Sequence, residues 1–262
     1  MTKNFKLFTV LLTVALMAGV TIFYACKKEK ELAPNTSVQD FIKRAHKGAV
    51  VHNEGLAYVY AKLAEIKPKE EVLKIVEIFT LDFIKTNSFF KSDVEVASKN
   101  AKITFELLRN SKSSRANLWY DDDTNLLSKS QKQWLTFIDD IIKNNNDLNK
   151  MISELDKIEK NVIEEGSDED QFIVIFAVEL GKESLTYWYE HHVEWEQLAP
   201  ENLSKGWFNW GNCARDDLAG GICGAIGGAI GGGGAGVVPG AIGGALGGSA
   251  ANAISQCWDH WF

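Results

Sequence analysis

The chain has 262 residues, 45% hydrophobic and 24% charged, with 35 acidic side chains against 28 basic ones and a formal net charge of -7. So apolar a composition argues against a disordered chain of low hydrophobicity. An acidic balance with four arginines leaves no basic footprint for nucleic acid, and four prolines among long helical-period runs argue against an all-β fold.

The first predicted element is an export signal at residues 1–25. Lys3 and Lys6 precede a charge-free run from Leu7 to Ala25, which ends in a small residue just before Cys26. A run of that length could instead stay as an uncleaved anchor. Lys27, Lys28 and Lys30 would then have to cross the membrane while two lysines stay inside, against the positive-inside tendency. A cleaved, simply secreted form is the third reading.

The stretch resembles a bacterial lipoprotein signal of Bacteroidetes type, with the aromatic Phe23 and Tyr24 ahead of Cys26 and Cys-Lys-Lys at 26–28. The resemblance implies that Cys26 carries lipid and becomes the mature N-terminus, with residues 26–36 as a tether. Lys27-Lys28-Glu29-Lys30-Glu31 resembles the tethers that send some such lipoproteins to the cell surface. The implied location is exported and lipid-anchored, at the outer membrane or cell surface, with membrane lipid as a partner. Several acyl chains on one cysteine would make that attachment durable.

Residues 37–200 read as an all-α body of about six helices. Thr36-Ser37 can cap the first, whose apolar positions Val38, Phe41, Ile42, Ala45, Ala49 and Val50 recur at three- and four-residue steps, with a bend expected at Gly55. Pro68 suits the first turn of a second helix carrying Val72, Val76, Phe79 and Phe83. Asp93 opens a third that reaches Leu108, and Ser128 or Ser130 a fourth with Trp134, Ile138 and Ile142, ended by Asn144–Asn146. A fifth holds Met151, Leu155, Ile158 and Val162, and a sixth starts near Asp168 and runs past Trp188 and Val193.

Little in this body points to catalysis. Asp121, Asp123 and Asn125 imitate the start of a calcium loop, but Leu126 and Lys132 stand where the turn glycine and the bidentate glutamate belong. His191, His192 and Glu194 cluster at a helix end, with no spaced partners evident except His46 and His52 in the first helix. Gly181-Lys182-Glu183-Ser184 lacks the upstream glycine of a phosphate loop. His52-Asn53-Glu54-Gly55 reads as an acid/base pair or as a helix bend. The expectation is no catalytic residue, no metal and no cofactor.

Residues 201–262 differ in kind. Fifteen of the 22 glycines lie between Gly220 and Gly248, and no charged side chain occurs between Asp217 and Asp259. Gly220, Gly224, Gly228, Gly232, Gly236, Gly240, Gly244 and Gly248 fall at unbroken four-residue steps, which keep them on one helical face. Gly227, Gly231, Gly243 and Gly247 form a second set beside them. A flexible linker is the plain alternative, but the tract alternates glycine with Ala, Ile, Leu and Val in register. In water each interior glycine costs a helix about 1 kcal/mol relative to alanine, so this tract needs a membrane or a tight protein partner. Gly231–Gly234 and Pro239 divide it into two helices, roughly 218–233 and 238–255, turning near Ala235.

Cys213 and Cys257 are equally far from Ala235 and could form a disulfide at the open end. Pairings that involve Cys223 are equally open. Trp207 and Trp210 before the hairpin and Trp258 and Trp261 after it could form an aromatic belt at one membrane interface, or pack on the body. Residues 213–257 resemble glycine-zipper segments of bacterial envelope proteins and of some membrane-permeabilising bacteriocins. Two expectations follow. The first is a non-enzymatic envelope lipoprotein whose hairpin inserts into a membrane or self-associates through its glycine face, with an unknown envelope protein as a further partner. The second is a bacteriocin-like or contact-dependent toxin that permeabilises target cells.

Overall fold

The computed structural model describes residues 37–66, 71–110, 127–165, 168–198, 208–232 and 236–258. Cys26, Trp207, Trp261, Pro68 and the acidic turn with Asp121 and Asp123 lie outside them, as do the side chains of Cys257 and Trp258 and the surroundings of Gly232. The described residues form eight α-helices and one 3-10 turn at Ser88–Phe90. In chain order the helices are α1 Val38–Ile66, α2 Val72–Thr86, α3 Val94–Asn110, α4 Lys129–Asn144, α5 Leu148–Glu165, α6 Asp168–Glu196, α7 Trp210–Gly232 and α8 Val237–Trp258.

The ends of the outer helices follow from local chemistry. Ser37 Oγ accepts from the Asp40 amide at 3.1 Å and so starts α1. Ser128 and Gln131 form a reciprocal capping box on α4, with bonds of 3.0 and 2.9 Å. Asn145, in extended backbone, stops that helix. α1 continues through Gly55. It runs unbroken for 29 residues, and the missing side chain makes room for Leu246, whose Cδ2 would lie 2.5 Å from a Cβ there.

Each outer helix buries one stripe: Phe41, Ala45, Ala49, Leu56, Val59 and Leu63 on α1, Leu135, Ile138 and Ile142 on α4, Met151, Leu155, Ile158 and Val162 on α5. α6 is different. Val174 to Val178 are all buried, together with Leu180, so almost every face of that stretch is covered. α7 and α8 are also enclosed, and they lie in the middle of the bundle rather than beside it. α8 packs on α7, α3, α1 and α2, and α7 packs on α8, α6, α3 and α4. The change in composition at residue 200 therefore marks the centre of the fold, not a spatially separate unit.

Both glycine helices are longer than expected, 23 and 22 residues against the predicted spans 218–233 and 238–255. The charges Arg215, Asp216 and Asp217 lie inside α7 rather than ahead of it, because the bundle supplies partners for them. Pro239 sits in the first turn of α8, where its missing N–H costs nothing.

Candidate functional site: the glycine helix pair and its polar clasp

The contact between α7 and α8 is one of backbone against backbone. A methyl group added to Gly220, Gly224 or Gly228 would collide with the carbonyl oxygen of Gly244, Gly240 or Gly236 respectively. The reverse holds as well: a Cβ on Gly240 would meet Gly224 O at 2.7 Å, one on Gly236 would meet Gly228 O at 2.8 Å, and one on Gly244 would strike Gly220 O. Gly248 continues the row against Asp216 O at 2.9 Å. These pairs fix an antiparallel register centred near residue 232, not Ala235.

Of the cysteines in the expected Cys213–Cys257 pairing, Cys257 has a side chain outside the described residues. Cys213 is buried in the first turns of α7, and Cys223 is exposed.

The second glycine set serves another neighbour. A Cβ at Gly243 would strike Ala97 O, one at Gly247 would lie 3.0 Å from Ala101 O, and one at Gly227 would lie 2.7 Å from Asn100 Oδ1, all on α3. Asn100 Nδ2 donates to Gly224 O at 2.9 Å inside this contact. Gly48 and Gly55 of α1 admit Val238 and Leu246, and Gly221 admits Leu180 of α6. The side-chain-free surface of the pair is thus filled from several directions by its own chain. Sequence reasoning missed these receiving positions; their traces were the small residues at 97 and 101 and the glycines at 48 and 55.

Charge enters the pair at one end only. Asp217, fully buried, accepts from Trp188 Nε1 at 2.8 Å and from Ser184 Oγ. Its other oxygen faces His52 Nε2 of α1 at 3.4 Å, and neither of those two atoms makes a hydrogen bond among the described residues. Arg215 grips Asp139 of α4 through Nε at 2.6 Å and a terminal nitrogen at 3.1 Å. A carboxyl group this deep is tolerable only when polar partners surround it so.

The clasp is not arranged for nucleophilic chemistry. A nucleophilic serine must donate to an imidazole that an acid in turn orients. Here Asp217 stands between Ser184 and His52, and all three are sealed from solvent.

The clasp continues outward through polar groups. His52 Nδ1 contacts Asn53 Oδ1 at 3.1 Å, and Asn53 Nδ2 donates to Glu183 O at 3.0 Å. His46, half-exposed, meets Glu179 at 3.1 Å and Glu183 at 3.6 Å. Lys182 reaches Glu179 at 2.5 Å, Glu159 at 2.7 Å and Asp156 at 3.1 Å. Burial alone would lower the Lys182 pKa, but hydrogen bonds and charge from Glu159 and Glu179 carry it above the ordinary lysine range. Burial pushes Glu179 up, against the pull of Lys182. Burial also raises Tyr187. The Trp195 N–H bonded to its oxygen lowers it, and the charges of Glu194 and Asp217 add to the rise.

The remaining candidates fall into local roles. His191 pairs with Glu194 at 3.0 Å, and His192 Nδ1 lies against the backbone oxygens of Trp188 and Tyr189. Among the described residues no three His, Cys, Asp or Glu side chains converge as a metal site. Trp210, half-buried, meets Tyr189 edge to face at 5.8 Å, packing on the body. Comparison with protein-family models, curated proteins and solved structures finds no match.

Proposed function

We propose that this chain is a non-enzymatic cell-envelope lipoprotein, exported through residues 1–25 and held by lipid on Cys26, that keeps a glycine helix pair closed inside its own bundle. The carrying observation is α8. Val237–Ile254 is long and apolar enough to cross a bilayer, yet 94% of it is enclosed by protein. Membrane lipid or a second copy reaches the glycine face only if the surrounding helices part, because within one chain that face is already occupied. The order Ser184–Asp217–His52 favours a structural role for the buried polar groups over catalysis.

Labelled fatty acid fed to cells should mark the wild-type chain and not a Cys26→Ala variant. Unmarked wild type would defeat the anchor. A second reading, a toxin that permeabilises target membranes, draws on the same enclosure, since a soluble carrier must hide such a helix until it meets lipid. Dye release from vesicles by the purified chain would favour the toxin, and sealed vesicles the lipoprotein.

A further inference from the structure

We propose that Arg215 and Asp217 set the register of α7, and that this helix has a second seat four residues toward its own N-terminus, so the clasp is the catch of a one-turn ratchet. The glycine face does not choose between the two seats. In the observed register Gly220, Gly224 and Gly228 stand against Gly244, Gly240 and Gly236. Moved by four residues, about 6 Å of helix axis, the same three would stand against Gly248, Gly244 and Gly240. Glycine meets glycine as completely in one seat as in the other.

The apolar side of α7 repeats as well. Leu218, which packs on Gly181, would be replaced there by Ile222. The oxygen of Gly224, which accepts from Asn100, would be replaced by that of Gly228. Gly221 would give way to Ala225, whose methyl meets the movable end of Leu180. The polar turn does not repeat. Four residues on from Arg215 and Asp217 stand Ala219 and Gly221, which can hold neither Asp139 nor the Trp188 and Ser184 donors.

Stability alone does not account for the clasp. His52 Nε2 and Asp217 Oδ1 make no hydrogen bond within it, and apolar residues often replace buried charged pairs without loss. Selecting one register among near-equal ones is the role that buried polar groups fill in coiled coils. A displacement of one turn is also how packed elements switch between two discrete seats.

The test moves the catch in the full chain. Arg215→Ala with Asp217→Gly removes it, and Ala219→Arg with Gly221→Asp restores it one turn further on. The reporter is a disulfide between α7 and α8. A Cβ at Gly221 would lie 3.7 Å from Ala245 Cβ, within disulfide reach. Ala225 and Ala241 stand one turn along each helix from that pair. Ala225→Cys with Ala241→Cys reads the observed register, and Ala225→Cys with Ala245→Cys the moved one. Elastase peptide mapping identifies which bond forms on mild oxidation.

With the native catch, positions 225 and 241 should join and 225 and 245 should not. With the catch moved the preference should reverse, and the urea midpoint should exceed that of the chain with the catch removed. A moved-catch chain that still joins 225 to 241, or that fails to fold, has no second seat and overturns the proposal. So does formation of both bonds with the native catch. These outcomes leave the lipid attachment at Cys26 and the envelope reading untouched, since neither depends on the register of α7.

Discussion

Gly181 and Gly244 are both helical glycines of this bundle, and they should answer an added methyl group in opposite ways. At Gly181 a Cβ would lie 3.5 Å from Leu155 and 3.6 Å from Leu218, ordinary contact distances. Gly181→Ala should therefore stabilise the chain by about 0.5–1 kcal/mol, the helix-propensity gain. Gly244→Ala should destabilise it by about 1–3 kcal/mol or more, because a carbonyl in the partner helix cannot yield as a flexible side chain can. Urea unfolding of the two variants checks both signs. Lys182 and Tyr187 carry a second prediction at this scale. Both hold their protons more tightly in the folded chain. Their contribution is complete below their ordinary pKa values, near about 10, and is lost as pH rises through the raised folded values. The urea midpoint should fall between about pH 9 and about pH 12, and Tyr187→Phe should flatten part of that slope.

Among the elements, α4 offers the cleanest local test. Ser128→Ala removes the capping-box acceptor and should cost about 1 kcal/mol, read as faster amide exchange in the first turn of α4. The outer helices were legible in the sequence for the same reason this cap is: Ser128, Asn145 and the stripe of Leu135, Ile138 and Ile142 are local signals. α7 and α8 were legible as glycine-rich helices. Their partner was not. A four-residue glycine register says that backbones approach closely, and it reads the same whether a membrane helix, a second copy or the chain's own α3 supplies the opposing surface. The available hints were distant in sequence. Ala97 and Ala101, Gly48 and Gly55, and the all-round apolar run Val174–Val178 mark the surfaces that close on the pair. Asp217 was visible only as the edge of a charge-free stretch, since its partners His52, Ser184 and Trp188 come from other helices.

For the molecule as a whole, enclosure changes what the glycine segment means. Twelve of the fifteen glycines lie inside α7 and α8 and cost on the order of 12 kcal/mol in propensity, as much as a typical domain's net stability. Close packing by α1, α3 and α6 offsets that cost, so the segment and its shell depend on one another. A detachable anchor would leave a body that folds alone. An enclosed core would not. The most direct measurement is thermal unfolding, by circular dichroism, of the chain from residue 37 to 262 against a form ending at residue 205. If α7 and α8 are the centre of the fold, the shortened form should lose its cooperative transition and much of its helix. A shortened form that melts cooperatively at the full-length temperature would contradict it, and would make the glycine pair an appendage after all.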